Sequence, residues 1–191
     1  EDITLDKSIT IDLGGNTLTV KSATGIKNTA GTSTIINGAV VSTVDDPVYS
    51  TGGELILGSS LTVTSTSSVL WAKGGTITVA GAELTGTHAT YVAAFAEQGG
   101  VINVESGSIT STSSGTITVG ASGTVNISGG SVYGESSVYA AVWTYGNGVF
   151  NMTGGSLESS SAALSVTGNS TANISGGTLQ SQASFVIGVY Q

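Results

Sequence analysis

Apolar residues in this chain come in short alternating runs, each bounded by Gly, Ser, Thr or Asn. Around Asn151, for example, the runs are Phe150-Asn151-Met152, then an isolated Leu157, then Ala162-Ala163-Leu164-Ser165-Val166. Alternation of period two marks strands with one buried face, and nowhere is helical spacing sustained. Between runs stand Gly154-Gly155 and Gly168-Asn169, residue types that accept the backbone angles of tight turns.

The pattern repeats. Asn126-Ile-Ser-Gly-Gly-Ser-Val132 returns as Asn151-Met-Thr-Gly-Gly-Ser-Leu157 and as Asn173-Ile-Ser-Gly-Gly-Thr-Leu179. Weaker copies start at Asp12, Thr34, Ile56, Thr78 and Asn103, with one residue deleted in the copy Ile56–Leu61. The starts are spaced by 22 to 25 residues. Three short strands per repeat cannot bury a core alone, but stacked copies can. The expectation is an all-β, right-handed parallel β-helix of about eight coils, each with three strands, forming a single domain over residues 1–191. A hairpin-built β-sandwich predicts no long period, and leucine-rich repeats would need a helical half that is missing.

The period assigns the interior. One inward column is Leu13, Ile35, Leu57, Val79, Val104, Ile127, Met152 and Ile174. A second is Leu18, Val40, Leu61, Leu84, Ile109, Val132, Leu157 and Leu179. A third, on the third strand, is Ile26, Tyr49, Trp71, Phe95, Val119, Trp143, Val166 and Val189. Its aromatics read as an interior stack; the alternative is a sugar-stacking ridge on the surface.

The third strand is apolar on both sides at residues 91–96, 138–143 and 185–187, which calls for cover on both sides. Val92, Ala94, Ala140, Val142 and Val186 are therefore the expected lining of a contact face. The last strand, ending in Val189-Tyr190-Gln191, carries no polar cap, so the expectation is a fragment of a longer protein or an end covered in an oligomer. The Asn column (Asn103, Asn126, Asn151, Asn173) reads as a hydrogen-bonding ladder at a turn. Four Asn-x-Ser/Thr sequons, at Asn126, Asn151, Asn169 and Asn173, follow from the composition. Outward Thr-x-Thr and Thr-x-Asn pairs resemble an ice-binding surface, but Glu54, Ile56, Val101 and Val149 interrupt them.

Composition narrows the partners. The formal charge is -8; four Lys and no Arg cannot build a phosphate-neutralising stripe, so nucleic acid is not an expected partner. No apolar run reaches the ~20 residues of a membrane helix, and membrane insertion is not expected. With 39% hydrophobic and 8% charged residues, the chain is built to fold rather than stay disordered.

These repeats resemble the pectin-lyase-like superfamily of parallel β-helices, which includes bacterial surface adhesin-type modules, phage fibre proteins, and polysaccharide lyases and hydrolases. The resemblance rests on repeat period and turn chemistry along the whole chain. It implies an extracellular protein on a cell or virion surface. The lyases of that superfamily use an Arg or Lys base with an acidic calcium cluster; here there is no Arg, and Lys73 has no acidic cluster around it in sequence. The hydrolases use several Asp on neighbouring coils, and here the Asp residues are few.

The weak catalytic candidates are Glu83 and Glu105, as a carboxylate pair on adjacent coils. Asp45 and Asp46 are weak metal candidates, read best as a turn before Pro47. His88, the single His, makes a poor metal site. No cofactor is implied. A non-catalytic surface module touching polysaccharide or other protein subunits is the leading expectation. A phage fibre or capsid decoration protein, including a homo-oligomer, comes next, then a polysaccharide-degrading enzyme and an ice-binding protein. Polysaccharide binding predicts exposed aromatics beside a shallow polar or acidic groove. A structural role predicts the apolar third face buried against another chain.

Overall fold

The computed structural model describes residues 2–21, 25–43, 46–183 and 185–190. It is a parallel β-helix of about eight turns, with 23 strands among the described residues and every strand pairing parallel. Three ladders run along the axis, here called the first, second and third faces. The third face is a nine-stranded sheet on its own. The other two are joined into one sheet because Thr76–Gly86 and Val101–Ser111 run through the corner without a break.

Each coil stacks on the next in register, about 4.8 Å apart. The first-face column Ile35, Leu57, Val79, Val104, Ile127 and Met152 is one buried pile, as the period required. Ile174 continues it at the last coil, where it is exposed. The second-face column Val40, Val63, Leu84, Ile109, Val132 and Leu157 faces it across the core. Each buried Val, Leu or Ile contributes about 1.5–3 kcal/mol in transfer terms.

Two register assignments differ from the sequence reading. Ile35 stands over Ile11, not Leu13. Leu13 belongs to a wide turn, in which Gly14 N donates to Asp12 Oδ1 and Asn16 N to the Leu13 carbonyl. The third coil is longer there, not shorter. Val63 occupies the column, and Leu61 pairs with Gly38. Leu61, Val63 and Ser65 all point inward along one strand, so an apolar residue at 61 did not mark the repeat position.

The Asn column is an unbroken ladder along the outside of the first face, within strands rather than at a turn. Asn173 Nδ2 donates to Asn151 Oδ1 at 2.8 Å, Asn151 to Asn126 at 2.8 Å, and Asn126 to Asn103 at 2.9 Å. Asn103 Nδ2 donates to Thr78 Oγ1, whose hydroxyl donates to Glu54 Oε1 at 2.6 Å. All the donors point toward the N-terminal coil, so the aligned amide dipoles converge on a carboxylate, where charge-assisted bonding is strongest.

Candidate functional site

The third face carries the feature that departs from a plain solenoid. Its outward column reads Lys27, Tyr49, Trp71, Phe95, Thr118, Trp143 and Ser165, each residue over the last. Its inward columns are Ile26, Val48, Leu70, Ala94, Ile117, Val142 and Leu164, and Asn28, Ser50, Ala72, Ala96, Val119, Thr144 and Val166. The aromatics therefore face outward, and Trp143 is 44% exposed. This corrects the expected interior stack. The sequence reading spliced inward Ile26, Val119 and Val166 with outward rings, and a one-residue slip moves a strand's side chains to the opposite face.

The same slip corrects two contact-face residues. Ala94 and Val142 are fully buried inside the coil and line no outer surface. Val92 and Ala140 are half-buried in turns that overhang the third face. Val186 is exposed at the last coil, away from them.

Those overhanging turns follow from a simple rule at the corner after the second face. The corner column reads Ser42, Ser65, Gly86, Ser111, Gly134, Ser159 and Ser181. Where it holds Ser, the hydroxyl can cap the turn: Ser65 Oγ accepts from Ser67 N, Ser111 Oγ from Ser114 N and Ser159 Oγ from Ser161 N. Where it holds Gly, the cap moves two residues on. His88 Nδ1 then accepts from Thr90 N and Tyr91 N, both at 3.1 Å, and Ser136 Oγ accepts from Val138 N and Tyr139 N. Turns 87–93 and 135–141 are seven residues long, against five for turn 112–116 between them. The two ends of each longer turn come close at the corner, where a Cβ on Gly86 would lie 2.9 Å from Ala93 Cβ and one on Gly134 3.3 Å from Ala141 Cα. These turns push Tyr91, Val138 and Tyr139 out as exposed walls.

Between the walls lies a groove. One part encloses about 480 Å³ and is lined by Asp46, Ser67, Ser68, Trp71, Thr90, Tyr91, Val92, Phe95, Thr118, Trp143 and Tyr145. An adjoining part of about 360 Å³ adds Ser114, Gly115, Val138, Tyr139, Ala140 and Ser165. Thr90, Val92, Thr118 and Trp143 belong to both, so they form one trough along the coils.

The aromatic floor is nearly continuous. Tyr49 meets Trp71 edge-on at 5.5 Å between centroids, and Trp71 meets Phe95 at 5.7 Å. The next coil offers only Thr118, but Tyr145 bridges the gap. It stacks on Trp143 at 5.0 Å and leans back over Gly120. A Cβ on Gly120 would lie 2.9 Å from the Tyr145 hydroxyl and 3.2 Å from Phe95 Cε2, so only glycine lets the two rings approach there. Trp71 Nε1 is buried without a hydrogen-bond acceptor. Thr118 Oγ1 makes no hydrogen bond to the described residues.

Charge is arranged around this floor. Lys73 Nζ lies 3.6 Å from Glu97 Oε1 and 5.1 Å from the centroid of the Trp71 ring. Lys27 Nζ lies 5.9 Å from the Tyr49 centroid, outside the trough. Burial, then the Glu97 and Asp46 carboxylates, raises the Tyr49 hydroxyl above its ordinary value. Burial and Glu97 do the same to Tyr145.

No family model, curated protein or solved structure matches this chain.

The other sequence candidates lie apart from the groove or outside it in part. Glu83 pairs in register with Ser108, whose hydroxyl donates to Glu83 Oε2 at 2.6 Å. Glu105 falls in the register shift between Val104 and Ser106, so it is not the residue opposite Glu83. Asp46 lines the groove, whereas Asp45 lies outside the described residues. Among the described residues, no three His, Cys, Asp or Glu gather where a metal ion would sit. The sequence reading missed Thr118, Tyr145 and the Tyr91 and Tyr139 walls. A usable signal was present: Leu70-Trp71-Ala72 and Ala94-Phe95-Ala96 each set a ring between two small or aliphatic neighbours.

Proposed function

We propose that this chain is a non-catalytic extracellular binding module that holds a polysaccharide in the third-face trough. The observation that carries this reading is the outward row of Trp71, Phe95, Tyr145 and Trp143, walled by Tyr91 and Tyr139. The C–H face of a pyranose is apolar and packs on aromatic rings, while its hydroxyls need polar partners at the edges. The trough supplies both, with Ser67, Ser68, Thr90 and Thr118 among the rings. From Trp71 to Ser165 the floor crosses four coil steps, about 19 Å at ~4.8 Å each, room for a short linear oligosaccharide. Such a site suits an adhesin-type surface module of the pectin-lyase-like kind.

A glycan array followed by calorimetry on the strongest hit tests this. The chain should bind at least one glycan at millimolar concentration or better, and Trp71→Ala and Trp143→Ala should each weaken it at least tenfold. No binding to any glycan at millimolar concentration would overturn the reading.

A second reading, a fibre or decoration subunit, draws on Val138, which is 75% exposed, and on its neighbour Tyr139. There another protein subunit, or a second copy, would fill the trough. Light scattering separates the two: assembly predicts a mass that rises with concentration, and Val138→Asp should abolish the rise.

A further inference from the structure

Resting on the glycan reading of the trough, we infer that its ligand is an uncharged glycan and that Asp46 and Glu97 turn acidic glycans away. The lining decides this. It holds the carboxylate of Asp46, several hydroxyls and the rings, and no Lys. The chain has no Arg to contribute. Lys73, the nearest cation in sequence to the floor, has its ammonium beside Glu97 and over Trp71. Lys27 lies beyond Tyr49 and does not line the trough.

A uronate bound here would leave water and meet the Asp46 carboxylate, of its own sign, while the nearest ammonium, that of Lys73, is already beside Glu97. Burying an unpaired charge is costly, and like charge at a binding surface suppresses the wrong partner. A neutral sugar meets no such penalty. Burial and then the Glu97 carboxylate raise the hydroxyls of Tyr49 and Tyr145, rings that lie on either side of Phe95. The formal charge of -8 adds long-range repulsion in the same direction. In the middle of the trough, between the coils of Phe95 and Trp143, the Thr118 hydroxyl can donate and accept, the pairing a neutral sugar hydroxyl needs.

The test uses the full chain and calorimetry at low and high salt. The probes are gluco-, xylo- and manno-hexaoses, set against hexaoses bearing glucuronate or galacturonate. The best neutral hexaose should bind with an affinity that changes less than twofold between the two salt concentrations. The uronate hexaoses should bind at least tenfold more weakly at low salt, with the gap narrowing as salt screens the repulsion. Asp46→Asn should lower the ratio of neutral to acidic affinity at least threefold. Uronates that bind as tightly as the neutral hexaoses, or a ratio unmoved by Asp46→Asn, would overturn the inference and leave the glycan reading standing. If no hexaose of either kind binds at millimolar concentration, the glycan reading falls and this inference with it.

Discussion

The first and third faces are built by the same stacking rule, yet their outer columns do opposite things. On the first face, the amides and hydroxyls of Asn173, Asn151, Asn126, Asn103 and Thr78 bond to one another and end on Glu54. That column spends its polar groups on itself. On the third face, the outer column is Tyr49, Trp71, Phe95, Thr118 and Trp143, with the Trp71 indole N–H and the Thr118 hydroxyl unpaired among the described residues. Identical-phase stacking makes any outer column self-complementary. Whether it becomes a structural seam or a binding floor depends on whether its side chains satisfy each other. The walls sharpen the contrast: no long turn is needed to bond an amide ladder, whereas Gly86 and Gly134 lengthen two turns to enclose the aromatic floor.

The largest effect should come from beneath both faces. Phe150 is fully buried, so Phe150→Ala should cost about 3–5 kcal/mol and lower the melting temperature sharply in thermal unfolding. Next is the floor itself. Trp143→Ala should weaken glycan binding at least tenfold, about 1.4 kcal/mol, with a smaller thermal shift than Phe150→Ala. If the two variants instead lose binding and stability in equal proportion, the floor is part of the scaffold. Asn126→Ala should do the reverse. It breaks two ladder bonds on a half-buried surface and should cost about 1 kcal/mol of stability while glycan affinity holds.

The smallest effect is in alkali. Burial and neighbouring carboxylates raise Tyr49 and Tyr145, so the fold favours their protonated forms. That contribution is present below the ordinary tyrosine value of about 10 and is lost as pH rises through the raised values. Phenolate absorbance of the folded chain should therefore lag that of the unfolded chain, and Tyr145→Phe should remove part of the lag.

The architecture was legible because its signal is redundant. From Thr78 onward, each first-face copy carries an outward polar residue before an inward aliphatic one, and the register from Val79 to Ile174 followed directly. The early coils misled where local chemistry broke the count: Gly14-Gly15 widens one turn, and Leu61 duplicates the inward role of Val63. The third face was harder for a physical reason. Its strands are only three or four residues long, and rings replace the aliphatics that elsewhere mean inside. That ambiguity is what placed Ala94 and Val142 on the wrong side. Tyr145 was illegible for another reason. It belongs to the next coil and reaches the floor only because Gly120 lacks a Cβ.

The central claim is that the rings of the third face point outward into an open trough. The chain contains no cysteine, so single thiols can report it cleanly. Ala94→Cys, Phe95→Cys and Ala96→Cys should be made separately and the rate of labelling by a polar thiol reagent measured in the folded chain. The thiol at 95 should react quickly, with those at 94 and 96 protected until unfolding; fast labelling at 94 and 96 with protection at 95 would contradict the account.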